Sequence, residues 1–296
     1  MKRIGLVGCG DWGKQILKCL TELGCEVTVV ARSEQSQENA RAFGATTIIS
    51  STTDLEGVDG IVIATATETH FDLIQELLVY DIPIFVEKPV TASLEQTAVL
   101  KSTANGKVFV MDKYRYHPAI RVLAQLVDNR TYGKLMSLKT TRNGWRVPKG
   151  PVNFIWDLAP HELSIVLTIC GHIPELRYKT IEQLDETPVA CIAIFGNEPS
   201  VICEMNKGSS SKFREVRVNF ADALAIWNTD EEDKIRILTL AELSEKSSPG
   251  KILQIAKENP LTLELLAFLA FLDGGIEPQS NLTDALLIAQ RISALA

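Results

Sequence analysis

The chain has 296 residues, 46% of them hydrophobic and 23% charged, with a formal net charge of −7. That length favours two domains with ample apolar surface to bury, and the acidic balance excludes chain-wide attraction to nucleic acid or to an anionic membrane surface. Six cysteines, at 9, 19, 25, 170, 191 and 203, never take the paired C-x-x-C spacing of zinc or dithiol sites, so buried free thiols and no metal site are expected.

The opening MKRIGLVGCG carries two cations and an apolar run, but glycines and Asp11 interrupt it where an export signal needs a longer core. From there to about residue 115, short apolar runs alternate with segments of helical period. RIGLVG precedes a helix to Gly24, EVTVVA a helix to Phe43, and TTIIS follows. Then come GIVIAT, a helix around 69–79, PIFVEKP, a helix around 91–104, and KVFVMD. Continuous apolar strands separated by amphipathic helices predict a doubly wound parallel sheet covered on both faces.

Beyond Tyr132 the pattern changes to strand candidates in succession: GKLMSLKTTR, ELRYKTIEQL, PVACIAIFG, SVICEMNKG, FREVRVNFAD and ALAIWN. Turn residues rather than helices join them, which predicts a largely antiparallel sheet with one open face. One helix, from about Pro160 to Gly171, interrupts these strands, and helical segments at 260–272 and 281–295 close the chain. The last of these is free to return to the first domain. The stretch Leu261 to Leu272 is apolar but only twelve residues long with Glu264 inside it, which makes it a buried helix rather than a membrane span. The division expected is residues 1–116 and 117–296, in a cytoplasmic protein without nucleic-acid or membrane partners.

Gly8, Gly10 and Gly13 stand directly after the first strand and open the first helix. In that setting G-x-G-x-x-G predicts a dinucleotide cradle: Gly8 permits the turn, Gly10 lets backbone approach a pyrophosphate, and Gly13 lets helix and strand pack closely. The bare alternative is a turn that needs glycine. At the tip of the second strand, EVTVV runs into Ala31, Arg32 and Ser33 with no carboxylate there. A ribose-binding acid is therefore missing and the Arg32 fork suits a 2′-phosphate, which favours NADP(H) and leaves NAD(H) possible. The fifth strand ends Glu87-Lys88-Pro89, at the carboxyl edge where ligands bind in such sheets.

Asp157 and His161 are four residues apart, hence on one helix face, with Pro160 between them marking a helix's first turn. Read alone, they are an N-cap and a packed histidine. Glu231-Glu232-Asp233-Lys234 reads as a solvated turn, and His117 and His172 receive no role.

With G-x-G-x-x-G, Glu87-Lys88-Pro89, Ala64-Thr65-Ala66-Thr67 with His70, Arg115 with Pro118, Tyr132-Gly133-Lys134 and Asp157-Leu158-Ala159-Pro160-His161, the chain resembles the glucose-fructose oxidoreductase, inositol dehydrogenase and MocA family over nearly its whole length. The resemblance implies an α/β Rossmann domain followed by an α+β substrate and oligomerisation domain. It also implies hydride transfer between a nicotinamide and a carbonyl or hydroxyl carbon of a sugar, cyclitol or nucleotide sugar. Lys88 would lie near the reacting oxygen, in a Lys88-Pro89 bond that is often cis, and Asp157 with His161 would bind substrate and move its proton. Asp11, Trp12, Thr65, His70 and Glu87 join the glycines, Arg32 and Ser33 on the cofactor side. Trp12 followed by Gly13-Lys14 resembles a subset that acts on nucleotide sugars. Tyr114, Arg115 and Tyr116 are candidates to hold substrate hydroxyls or phosphates. A homodimer or homotetramer through the second sheet is implied.

Reduction of a carbonyl builds negative charge on its oxygen, so an acid and a cation must reach it. His161 suits the proton because imidazole titrates near neutrality, and Lys88 suits the charge. Two alternatives stay open: reduction of an imine or conjugated ring, and a regulator that senses dinucleotide without turnover.

Overall fold

A computed structural model describes residues 1–104, 106–144, 154–244 and 248–295. Along the chain it runs β1 (Arg3–Val7), α1 (Gly13–Glu22), β2 (Glu26–Val30), α2 (Glu34–Ala42), β3 (Thr47–Ile49), β4 (Gly60–Ile63), α3 (His70–Leu77), β5 (Ile84–Glu87), α4 (Leu94–Thr103) and β6 (Val108–Met111). Then follow α5 (Lys113–Tyr116), α6 (Pro118–Asp128), β7 (Leu135–Asn143), α7 (Phe154–Cys170), β8 (Leu176–Leu184), β9 (Thr187–Phe195), β10 (Ser200–Asn206), β11 (Phe213–Phe220), β12 (Ala223–Asn228) and β13 (Lys234–Thr239). The chain closes with α8 (Leu240–Leu243), β14 (Lys251–Gln254), α9 (Pro260–Leu272) and α10 (Leu282–Leu295).

Two compact units result: Met1–Lys113 with Asn259–Ala289, and Tyr114–Glu258 with Gln290–Ala296. The first holds a six-stranded sheet in the order β3-β2-β1-β4-β5-β6. All its pairs are parallel, from Ile4↔Val27 to Val86↔Val110. That order reverses direction between β1 and β4, which is where a doubly wound sheet opens a ligand crevice. Of its central strands, β4 is buried throughout and β1 from Ile4 on, as apolar runs require when helices cover both faces.

Helix α1 buries Ile16, Leu17 and Leu20 against the sheet, a one-sided stripe of helical period. Helix α9 covers the same side. Phe268 stacks on Phe85 at 4.9 Å and Phe271 meets Phe109 edge-on at 4.9 Å, contacts worth roughly 0.5–1.5 kcal/mol each beyond the area they bury. The apolar run 261–272 thus belongs to the core of this unit and not to a membrane. No helix among the described residues is long and apolar enough to span one.

The second unit holds an eight-stranded sheet, β14-β13-β12-β11-β7-β10-β9-β8. Its pairs are antiparallel except β7 with β10. Alternation sets the two faces. Leu138, Thr140 and Arg142 of β7 and Val201, Cys203 and Met205 of β10 are buried, whereas Lys139 and Glu204 on the other face pair at 2.8 Å. Strands β13 and β14 were not read from the sequence, because KIRILT and KILQ are short and follow charged or Ser-Pro-Gly turns.

Helix α7 is also longer than the sequence reading. It is helical from Phe154, so Pro160 lies inside it rather than in its first turn. Burial of thirteen of its side chains, Phe154 and Trp156 among them, holds the turns before the proline despite the backbone donor that Pro160 lacks.

Candidate cofactor cleft and catalytic residues

At the carboxyl edge of the first sheet, a cleft of about 400 Å³ lies between the β1–α1 loop, the tip of β2 and the turn after β4. Gly8, Gly10, Arg32, Ser36 and Thr65 are among its lining residues. The three glycines are needed for different reasons. Gly8 has φ +92° and packs so tightly that a Cβ would lie 2.8 Å from Thr65 Cγ2. A Cβ on Gly13 would stand 2.4 Å from the Gly8 carbonyl oxygen. A Cβ on Gly10, by contrast, would meet nothing within 4 Å and would project into open space. The backbone is therefore folded tightly at 8 and 13 and left approachable at 10, next to a helix start with no side-chain cap. This arrangement fits the pyrophosphate of a dinucleotide.

Arg32 is exposed at the rim of the cleft. Ser33 caps α2 by accepting from the Ser36 N–H at 3.2 Å, and Ser36 Oγ accepts the Cys9 N–H at 3.1 Å. Ser33 thus caps the helix and lines the cleft as well. Ser36, which the sequence reading passed over, both lines the cleft and ties the glycine loop to α2. Its signal was its place one turn after the Ser33 cap. Asp11 faces solvent and pairs with Lys14 at 2.8 Å, which holds its carboxyl below the usual range.

Strand β5 delivers Glu87 and Lys88, and the Lys88-Pro89 peptide is cis. Trp12 Nε1 donates to Glu87 Oε1, while the Lys88 N–H donates to Glu87 Oε2 at 3.0 Å. Lys113 Nζ lies over the Trp12 ring, 5.6 Å from its centre, a cation–π contact that the sequence reading missed although Lys113 directly follows the edge of β6. Desolvation pushes the Glu87 carboxyl up to about 7, against the pull of Lys88 and Trp12. Below it, Glu264 of α9 is 1% exposed and its Oε2 has no hydrogen-bond partner among the described residues. Burial first, then the Glu87 and Asp112 charges, hold its carboxyl well above the ordinary range.

Thr65 lines the cleft and shares a 2.7 Å hydroxyl contact with Thr69. His70 does not reach that surface. Its side chain is wholly buried, with Nε2 3.1 Å from the Thr65 carbonyl and Nδ1 3.1 Å from the Pro89 carbonyl.

In the second unit, α7 carries Asp157 and His161, both half-buried. Asp157 Oδ2 pairs with Lys207 Nζ at 2.9 Å, just past the end of β10. No spacing in the sequence announced Lys207. The His161 ring meets Tyr114 edge-on at 5.4 Å. Tyr114 also stacks on His117 and lies 5.1 Å beneath the Arg142 guanidinium, which is ion-paired to Glu162. Burial alone would depress Arg142, but Glu162 and Tyr114 more than offset it and the net shift is upward. Tyr114 and Tyr116 are 1% and 4% exposed, so these two candidates for substrate contact are packing residues in this unit. Arg115 is half-buried.

Residues 2–111 match the family described as oxidoreductase family, NAD-binding Rossmann fold. Among curated proteins, an uncharacterized oxidoreductase, YdgJ of Escherichia coli, is 30% identical over 186 residues, covering 57% of this chain and 54% of that protein. Inositol 2-dehydrogenase 2 of Paenarthrobacter aurescens is 28% identical over 197 residues, covering 61% and 59%. The matched stretch thus spans little more than half the length of these relatives. The solved structure of UDP-N-acetylglucosamine 3-dehydrogenase GnnA from Acidithiobacillus ferrooxidans has the same fold, with TM-score 0.84 at 19% identity over 99% of this chain and 96% of that one. Residues 2–111 thus match the family of glucose-fructose oxidoreductase, inositol dehydrogenase and MocA, and the chain as a whole is similar to its members.

Proposed function

We propose that the protein is a nicotinamide-dependent oxidoreductase that interconverts a hydroxyl and a carbonyl on a sugar, cyclitol or nucleotide sugar. The observation that carries this reading is the shared carboxylate of Glu87. It joins the glycine loop, through Trp12, to the turn bearing Lys88, so cofactor cradle and candidate catalytic cation are built as one piece. The similarity to proteins named inositol 2-dehydrogenase and UDP-N-acetylglucosamine 3-dehydrogenase supports the substrate class.

The nicotinamide supplies or accepts the hydride when bound. Gly8, Gly10 and Gly13 hold the pyrophosphate, and Arg32 receives the adenosine ribose. The exposed guanidinium, with no acid at the tip of β2, supports NADP(H) over NAD(H). Lys88 stabilises negative charge on the substrate oxygen, and His161 donates the proton in reduction or accepts it in oxidation. Asp157, held by Lys207, stays a fixed hydrogen-bond acceptor for a neighbouring substrate hydroxyl. Functionally the chain divides into a cofactor part, residues 1–116, and a substrate part, residues 117–296.

A second copy covers the second sheet, a reading supported by the exposed Met136 and Ile192; light scattering tests it. Free thiols at all six cysteines support a cytoplasmic setting. The activity is tested by following reduced-nicotinamide absorbance with both cofactors against sugars, inositols, keto-sugars, nucleotide sugars and imines. Turnover of a polyol or keto-sugar supports the proposal. Tight dinucleotide binding with no turnover on the whole panel contradicts it.

A further inference from the structure

Beyond Ile63↔Val86 the pairing of β4 with β5 ends. The chain after β4 goes on to line the cofactor cleft with Ala64, Thr65 and Ala66, while the chain after β5 carries Lys88 and Pro89. These two turns therefore leave the sheet as separate strands of backbone whose relative position the ladder no longer fixes. Upstream, Lys88 is held by its N–H bond to Glu87. Downstream, Thr91 anchors the turn through its hydroxyl, 2.7 Å from the Ser93 carbonyl and 2.8 Å from Thr97 Oγ1. Neither contact reaches across to the cleft wall.

His70 does. As the first residue of α3 it sends a fully buried ring between the two turns, with one nitrogen 3.1 Å from the Thr65 carbonyl and the other 3.1 Å from the Pro89 carbonyl. We propose that His70 is a positioning residue that ties the cofactor-cleft wall at Thr65 to the turn carrying Lys88, and so sets where the Lys88 ammonium stands relative to bound nicotinamide. The two ends of the imidazole are rigidly spaced, so moving one turn moves the other. Burial disfavours the charged ring, and a neutral imidazole donates to one carbonyl at a time. One end is then a hydrogen bond and the other a packing contact, joined by the rigid ring. This inference rests on the proposed role of Lys88, and it differs from direct cofactor contact, which a side chain enclosed behind Thr65 cannot make.

Three variants separate the possibilities. His70→Leu fills the space without polar atoms. His70→Asn puts an amide where Nδ1 stands and keeps the Pro89 contact. His70→Gln puts one where Nε2 stands and keeps the Thr65 contact. The first readout needs no substrate: the rate of Lys88 acylation by an amine-reactive reagent, read by mass spectrometry on folded protein of verified melting temperature. The positioning role predicts a change of about threefold or more in His70→Leu, and a change in the same direction in His70→Asn and His70→Gln, each of which keeps one end of the tie only. In turnover, His70→Leu loses about 10–100-fold in kcat, the scale of a misplaced catalytic group, while dinucleotide affinity stays within about threefold, and neither amide restores the wild-type rate. Lys88 acylation identical in wild type, His70→Leu and His70→Asn overturns the inference, whatever the activity. A wild type that turns over nothing, with acylation that still follows His70, overturns the proposed reaction and leaves the tie standing. If His70→Leu fails to fold, His70→Asn and His70→Gln decide: wild-type Lys88 reactivity in both overturns it.

Discussion

Trp12 Nε1 donates a hydrogen bond to Glu87 Oε1, so a residue of the glycine loop and a residue of the Glu87-Lys88-Pro89 turn share one carboxylate. Trp12→Phe keeps the ring beneath Lys113 and removes only the donor. Net loss of such a bond is about 1 kcal/mol, so kcat/KM should fall roughly 3–10-fold in steady-state kinetics. An unchanged value would remove the link between the loop and Lys88.

Glu87 and Glu264 are both held above the ordinary carboxylate range in the folded protein. Between the unfolded value and the raised folded value, the folded state binds more protons than the unfolded state, so stability falls as pH rises. For Glu87 that window runs from the ordinary carboxylate range up to about 7. Glu264→Gln removes a buried carboxyl that resists ionisation. Its unfolding free energy should exceed that of wild type at pH 8 by on the order of 1 kcal/mol, read by denaturant melts, and the gain should shrink toward pH 5. A gain that grows on acidification would reverse the assignment.

Gly10 and Gly13 separate folding from binding. Gly13→Ala forces a Cβ to 2.4 Å from the Gly8 carbonyl oxygen, and overpacking against backbone costs about 1–3 kcal/mol. Its melting temperature should drop. Gly10→Ala meets nothing within 4 Å, so the fold should keep its stability while dinucleotide affinity weakens by about tenfold or more, through lost backbone approach. Thermal melts and fluorescence titration with reduced cofactor check the pair.

Arg32 decides between cofactors. Arg32→Ala should weaken NADPH binding by about tenfold or more, the loss expected for a charge-assisted phosphate contact, and leave NADH within about threefold. Equal weakening of both would assign Arg32 to adenine stacking instead.

The first unit was legible because its signals are local. Apolar runs marked the strands, and Gly8 and Gly13 are glycines for reasons that the backbone shows. The cofactor cleft follows from that order of elements. What escaped the sequence was side-chain pairing between distant segments. Lys207 meets Asp157 across about fifty residues, Glu264 lies beneath Glu87 through a helix from the far end of the chain, and His70 reaches Pro89 rather than the cleft surface. Periodicity reports which face a residue takes and says nothing of which residue faces it. Pro160 misled for a related reason: a proline usually marks a helix's first turn, but here tertiary burial of Phe154, Trp156 and Leu158 sustains the helix around it.

The proposed reaction assigns charge stabilisation to Lys88 and proton transfer to His161. A double-mutant cycle measures it: kcat of wild type, Lys88→Ala, His161→Ala and the double variant on one turned-over substrate, with dinucleotide affinity measured beside it. Groups acting as a unit are not additive, so each single change should cost about 100-fold or more and the double little beyond the worse single, with cofactor affinity near wild type. Full turnover in either single variant, or losses that simply multiply, would contradict the account.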